Sequence, residues 1–192
     1  YSDQDADELV LLNIARNNRD VIALVDVVAR IAQECFVPLT VGGGIQCLED
    51  AAQLFLAGAD KVLVNSAAYR RPELINGDYL LFSGCGRQRE DVSLAEHIAT
   101  VEAAGAGEIM IQSIDRDGVM GGYDLLLLRE VIALSQVPVI AAGGAGDFMH
   151  LKQAFDIGVD AAACGSLFNF GDNNPLRAKA FLKNYNIPLK RT

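Results

Sequence analysis

The 192-residue chain has no tryptophan, two histidines and only four cysteines, and each scarcity removes a class of function. Aromatic residues make up 7% of a chain that is 51% hydrophobic, so its core must be aliphatic, and one compact domain spanning 1–192 is expected rather than a fibrous or disordered chain. Cys35, Cys47, Cys85 and Cys164 are widely spread with no C-x-x-C pair, which argues for reduced thiols and against a zinc site or a disulfide framework. His97 and His150 fall in stretches of helical pattern, where a surface or helix-end role is the ordinary one, and no Cys-His or Ser-His nucleophile pair can be read from the order of residues. Positive charge is also scarce. Sixteen Lys and Arg stand against 25 Asp and Glu, a net charge of −9, which excludes a general nucleic-acid binder because tracking phosphates requires clustered cations. No apolar run reaches the roughly 18–20 residues of a membrane span, and the opening Tyr1-Ser2-Asp3-Gln4-Asp5 has neither the basic flank nor the apolar stretch of a signal peptide. A soluble, cytoplasmic protein is expected.

Short aliphatic runs alternate with amphipathic stretches of helical length, the pattern of parallel strands joined by crossover helices. The runs predict strands over Glu8–Ile14, Pro38–Gly42, Lys61–Asn65, Glu108–Ile114, Pro138–Ala142 and Ala161–Gly165, and helices over Val21–Cys35, Leu48–Ala57, Leu125–Leu134 and Phe148–Ile157. The second half repeats the first at a constant offset of 100 residues. Asp7–Asn17 aligns with Gly107–Asp117, Val37–Gly44 aligns with Val137–Gly144, and Gln53, Phe55, Gly58, Asp60 and Ser66 meet Gln153, Phe155, Gly158, Asp160 and Ser166. Two copies of a half-barrel follow, approximately 1–75 and 76–192. The expected object is a closed (β/α)8 TIM barrel with approximate twofold symmetry.

In such barrels the loops after the strands build the active site. Gly42-Gly43-Gly44 and Gly143-Gly144-Ala145-Gly146 each follow a strand and precede a helix, so their N–H groups can approach an anion without side-chain obstruction. Glycine in such turns commonly serves chain geometry alone. Here, however, the pattern occurs twice, each time followed by a strand that ends in Asn65-Ser66 or Gly165-Ser166, which makes two phosphate cups and implies a ligand phosphorylated at both ends. Asp115, at a strand end in Ser113-Ile114-Asp115-Arg116-Asp117-Gly118, is placed for proton transfer, whereas Asp117 before Gly118 reads as a turn residue. Glu8, Lys61 and Glu108 stand at strand starts, where a solvated or stabilising charged layer is the default reading.

These motifs, with Gly58-Ala59-Asp60-Lys61-Val62, Gly105-Ala106-Gly107-Glu108-Ile109, Gly121-Gly122-Tyr123-Asp124 and Ser166-Leu167-Phe168, resemble the cyclase subunit of imidazole glycerol phosphate synthase over nearly the whole chain. The resemblance implies an ammonia-dependent lyase of histidine biosynthesis that works with a glutaminase subunit and without a metal or other cofactor. Its substrate would be a phosphoribulosyl-formimino aminoimidazole carboxamide ribonucleotide. It further implies that Gly44, Asn65 and Ser66 hold one phosphate, that Gly144, Gly165 and Ser166 hold the other, and that Glu8, Lys61 and Glu108 belong to a charged gate through which ammonia enters.

The sequence also departs from the family pattern. Members carry a further strand and helix ahead of the position of Tyr1, and a helix and strand between the positions of Ile75 and Asn76. These include the first strand of each half, which normally ends in one of the family's two essential aspartates, so neither aspartate receives a number here. Six recognisable strands fall short of an eight-stranded ring. Asn13 stands where the family commonly has Asp, and Ala15-Arg16-Asn17-Asn18 differs from its usual loop. Two alternatives follow: a paralogue supplying ammonia for amidation of a surface-polysaccharide sugar, and a non-catalytic barrel serving as a scaffold for the glutaminase.

Overall fold

A computed structural model describes residues 2–14, 21–64, 67–70, 79–83 and 87–190. In chain order the strands are β1 (Leu9–Leu12), β2 (Leu39–Gly42), β3 (Lys61–Leu63), β4 (Ala67–Arg70), β5 (Tyr79–Ser83), β6 (Gln88–Arg89), β7 (Ile109–Ser113), β8 (Val139–Ala142) and β9 (Ala161–Ala162). The α-helices are α1 (Ile22–Glu34), α2 (Leu48–Leu56), α3 (Leu94–Ala103), α4 (Leu125–Leu134), α5 (Phe148–Asp156), α6 (Ser166–Asn169) and α7 (Pro175–Lys183). The chain divides into two compact units, Tyr1–Asn65 and Ser66–Leu189.

The first unit is a three-stranded parallel sheet in the order β1-β2-β3. Its middle strand is buried along its whole length, as the nearly continuous apolar run Leu39-Thr40-Val41-Gly42 requires of a strand covered on both faces. Leu24 and Val28 of α1, Leu39 and Val41 of β2 and Leu54 of α2 form its core. The second unit is a six-stranded sheet in the order β6-β5-β4-β7-β8-β9, parallel from β4 through β9 and antiparallel across β4-β5-β6. Leu127 and Val131 of α4, Ala141 of β8, Ala154 of α5 and Leu167 of α6 fill its larger core. Local signals fix the helix starts. Ser93 caps α3 by accepting from the Glu96 N–H at 3.2 Å, while its own N–H donates to the Glu96 carboxylate at 3.1 Å. Asp124 caps α4 and Asn174 caps α7, where Pro175 takes the first helical position.

The sequence repeat is a repeat of hydrogen bonds. Leu9 faces Leu39 in one unit and Ile109 faces Val139 in the other, an unchanged register at the same offset. Thr40 likewise faces Lys61, and Ile140 faces Ala161. Asp60 accepts from the Leu39 N–H at 2.8 Å, and Asp160 from the Val139 N–H at 2.8 Å; in return each aspartate's own N–H donates to the same residue's carbonyl at 2.9 Å. A carboxylate therefore tethers the start of each middle strand to the turn before the next, and the order β–glycine loop–α–β is built twice in the same way.

One expectation is met in part and two need correction. The α/β class with parallel strands is present, but the described strands form two sheets of three and six, and no closed ring of eight occurs among them. The six anticipated strands exist but are shorter than their apolar runs: β3 stops at Leu63 and β9 at Ala162, ahead of the loop that carries Gly165. Strands β4, β5 and β6 are additional: Tyr79-Leu80-Leu81-Phe82-Ser83 has strand composition but no partner 100 residues away, so periodicity could not reveal it. The expected half-boundary at 75 and 76 lies outside the described residues.

Candidate functional site

Both glycine loops leave the C-terminal end of a middle strand. Gly43 and Gly44 have φ of 88° and 100°, and Gly143 and Gly144 have φ of 77° and 113°, conformations that L side chains rarely adopt. Close approach adds a second requirement. A Cβ on Gly43 would lie 2.4 Å from the Asn13 carbonyl oxygen, and one on Gly144 would lie 2.3 Å from that of Gly122. The glycines thus let the loop after the preceding strand, β1 or β7, lie directly on the glycine loop. Asn65 and Ser66, expected in the first cup, lie outside the described residues, so only Gly44 of that set is placed.

The second cup is described in full. A cavity of about 80 Å³ is walled by Gly143 and Gly144 on one side and by Cys164, Gly165 and Ser166 on another, with Asp117 also on its wall. Gly144, Gly165 and Ser166 are therefore brought together as expected, in a space fit for a small oxyanion. Among the described residues the N–H groups of Gly165 and Ser166 donate to no other protein group. A larger opening of about 340 Å³ lies at the other end of β8, around Val137, Pro138 and Asp160, but its one carboxylate is already engaged by the Val139 N–H. The smaller cavity is the one walled by the residues anticipated for the second cup.

Asp115 and Asp117 lie in the turn after β7, which is tied back to the strand by the Arg116 and Asp117 N–H groups donating to the Ser113 carbonyl at 3.2 and 3.0 Å. Asp115 is exposed and is not part of the cavity wall; Asp117, expected as a turn residue, is both. A two-residue step along a turn is below what spacing can resolve.

Tyr123 belongs to the Gly121-Gly122-Tyr123-Asp124 motif, and what it does emerges from packing. Its buried hydroxyl donates to the Ala163 carbonyl at 3.0 Å and lies 3.3 Å from the Cys164 sulfur, so it fixes the end of β9 just ahead of Gly165 and Ser166. Burial pushes the Tyr123 phenol well above its ordinary value of 10.0, and the adjacent Cys164 raises it further. Burial also raises the Cys164 thiol above its ordinary 9.0. The folded chain thus holds both protons at pH values where the unfolded chain has released them. Stability from these groups is complete below about pH 8 and falls as pH climbs past 9 and again past 10, by up to ~1.4 kcal/mol per pH unit for each proton. Urea denaturation between pH 8 and 11 should show this decline, and the decline should be shallower above pH 10 in Tyr123→Phe. Parallel curves would mean that the phenol is not responsible.

At the opposite ends of the strands, Lys61 Nζ lies 2.9 Å from Glu8 Oε2, and the buried Thr40 hydroxyl donates to the other Glu8 oxygen. Glu8 and Lys61 are therefore a pair, with Thr40 as a member the sequence did not suggest. Glu108 holds the same register as Glu8 in the second unit, just before β7, and is exposed. Cys35, Cys47 and Cys164 are free thiols, and Cys85 lies outside the described residues. No helix of the described residues is long and apolar enough to cross a membrane.

Parallel strands with a glycine loop at the end of each middle strand, duplicated in one register, define an α/β protein assembled from two related halves. The chain belongs to the family of histidine biosynthesis proteins, whose model matches residues 1–80 and again 78–174. Three relatives are all named imidazole glycerol phosphate synthase subunit HisF. The chain is 38% identical to that of Chloroherpeton thalassium, over 99% of this chain and 84% of the relative. It is 36% identical to that of Thermococcus onnurineus, over 99% and 84%, and 36% identical to that of a Thermotoga species, over 99% and 83%.

Proposed function

We propose that this chain is the cyclase subunit of an imidazole glycerol phosphate synthase, a cytoplasmic lyase of histidine biosynthesis that receives ammonia from a glutaminase subunit. The observation that carries the reading is the duplicated glycine loop in one register, which supplies an anion site in each half and therefore suits a substrate with a phosphate at each end. The kinship with the three HisF subunits supports the reaction itself and favours it over sugar amidation or a scaffold. Gly44, Asn65 and Ser66 hold one phosphate; Gly144, Gly165 and Ser166 hold the other. The parallel strands belong to a (β/α)8 architecture, with the substrate extended over the C-terminal strand ends. Ammonia condenses with the ribulosyl carbonyl, and ring closure then expels the aminoimidazole carboxamide ribonucleotide, so protons must be both delivered and removed. Asp115 serves that proton traffic. Glu8, Lys61 and Glu108 form the charged entry for ammonia at the N-terminal strand ends.

Purified chain given the bisphosphorylated substrate and an ammonium salt should form imidazole glycerol phosphate without any glutaminase. With the glutaminase added, glutamine should replace ammonium. Lys61→Met, which leaves Glu8 without its cation, should lower glutamine-driven turnover about tenfold or more while changing ammonium-driven turnover less than about threefold, as a gate remote from the chemistry predicts. Absence of ammonium-driven turnover in the unaltered chain would overturn the cyclase reading; equal losses in both assays would remove Lys61 from the gate.

A further inference from the structure

The turn that carries Asp115 and Asp117 and the glycine loop that walls the second cup come from different strands, yet one side chain touches both. His150, the third residue of α5, has a largely buried ring whose Nδ1 accepts from the N–H groups of Gly146 at 3.1 Å and Asp147 at 3.3 Å. Both N–H groups take Nδ1 as their acceptor, and the Asp147 carboxylate lies 3.6 Å from the same nitrogen. The other edge of the ring lies against Gly122: a Cβ placed there would meet Cδ2 at 3.1 Å and Nε2 at 3.3 Å. Gly122 in turn donates its N–H to the Gly144 carbonyl at 2.8 Å.

The first half shows which part of this arrangement is general and which is specific. At the position 100 residues earlier, Asp50 accepts from the N–H groups of Gln46 at 2.8 Å and Cys47 at 3.3 Å, the same two donors in the same order. An acceptor at this place is thus the shared means of fixing a glycine loop to the helix that follows it. The residue that matches Gly122 is Ile22, the first residue of α1, and Asp50 has no ring to set against it. A carboxylate satisfies the loop; only a ring also reaches the turn after β7.

We propose that His150 is a positioning residue with two separable functions: its Nδ1 sets the phosphate loop, and its ring holds the Gly118–Gly122 end of the acid-bearing turn against that loop. The proposal rests on the reading of Gly144, Gly165 and Ser166 as a phosphate site. Two substitutions separate the functions. His150→Asn keeps a neutral acceptor near the Nδ1 position and removes the ring face; His150→Phe keeps a ring against Gly122 and removes the acceptor.

Inorganic phosphate titrated into the full chain, followed by backbone amide NMR shifts, is the test. In the unaltered chain, Gly144, Gly165 and Ser166 on the cup wall and Gly122 on the turn, off that wall, should respond with one dissociation constant. In His150→Asn the cup amides should respond with affinity within about twofold while the Gly122 amide stops responding; in His150→Phe phosphate affinity should fall about tenfold. In turnover, His150→Asn should lower kcat with KM nearly unchanged, and His150→Phe should chiefly raise KM. A turn that still follows phosphate in His150→Asn, or unchanged affinity in His150→Phe, would overturn the proposal with the phosphate site intact. Cup amides silent to millimolar phosphate in the unaltered chain would instead overturn the phosphate reading, and this proposal with it.

Discussion

Gly144→Ala is expected to lower stability by more than the same substitution at Gly158, and to abolish measurable phosphate binding at the second cup. Both glycines have a φ that L residues avoid, 113° at Gly144 and 100° at Gly158, so both substitutions should lose about 1–3 kcal/mol to backbone strain. Their surroundings differ. A Cβ on Gly158 meets nothing within 4 Å, whereas one on Gly144 meets the Gly122 carbonyl oxygen at 2.3 Å and the Arg116 Cβ at 3.0 Å. Those atoms are backbone or close to it and cannot swing aside as a long side chain would. Relief requires the turn after β7 to lift away, which stretches the Gly122 N–H···O=C Gly144 bond now at 2.8 Å and adds about 1–3 kcal/mol. Urea denaturation of the two variants, with phosphate titration of each, provides the comparison. Equal midpoints would show that the loops do not depend on close contact.

How far this site could be read in advance depends on the kind of signal each residue leaves. Gly43, Gly44, Gly143 and Gly144 were legible because a duplicated strand–loop–helix unit writes its turns twice, and agreement between the copies separates a required glycine from an incidental one. Asp60 and Asp160 were legible as a matched pair for the same reason, although their function as tethers for Leu39 and Val139 became clear only from the hydrogen bonds. Tyr123 and His150 left no such signal. Each acts through a contact between segments distant in sequence, Tyr123 to Ala163 and the His150 ring to Gly122, and the matching residues Ala23 and Asp50 carry neither a phenol nor a ring. Helical periodicity placed His150 on a helix but could not show that its ring faces the loops. Strands β4 to β6 were missed for the same reason, and ring closure was inferred from fold regularity rather than from any local feature; the described strands lie in two sheets.

The residue with the largest expected effect on rate is Asp115. Nucleophilic addition of ammonia leaves a nitrogen that must lose protons and an oxygen that must gain them, and one carboxyl group that reaches both atoms can carry both transfers. Asparagine has nearly the same shape and keeps hydrogen-bonding capacity but cannot carry a proton at neutral pH, so Asp115→Asn isolates proton transfer from turn geometry. We expect ammonium-driven kcat to fall by about 10²–10⁴, the usual span for removing a positioned acid–base group, with KM within about threefold. Asp117→Asn is the control the structure demands. Asp117 lines the cavity with Gly143 and Gly144, and its Cβ is 3.4 Å from where a Gly143 Cβ would lie, so its substitution should act on binding and appear mainly in KM. The opposite pattern, kcat lost in Asp117→Asn and retained in Asp115→Asn, would move the proton-transfer assignment two residues along the turn. A turn tied to Ser113 by both following N–H groups is stiff enough for either residue to serve; the one whose carboxylate reaches the reacting carbon is the one whose loss appears in kcat.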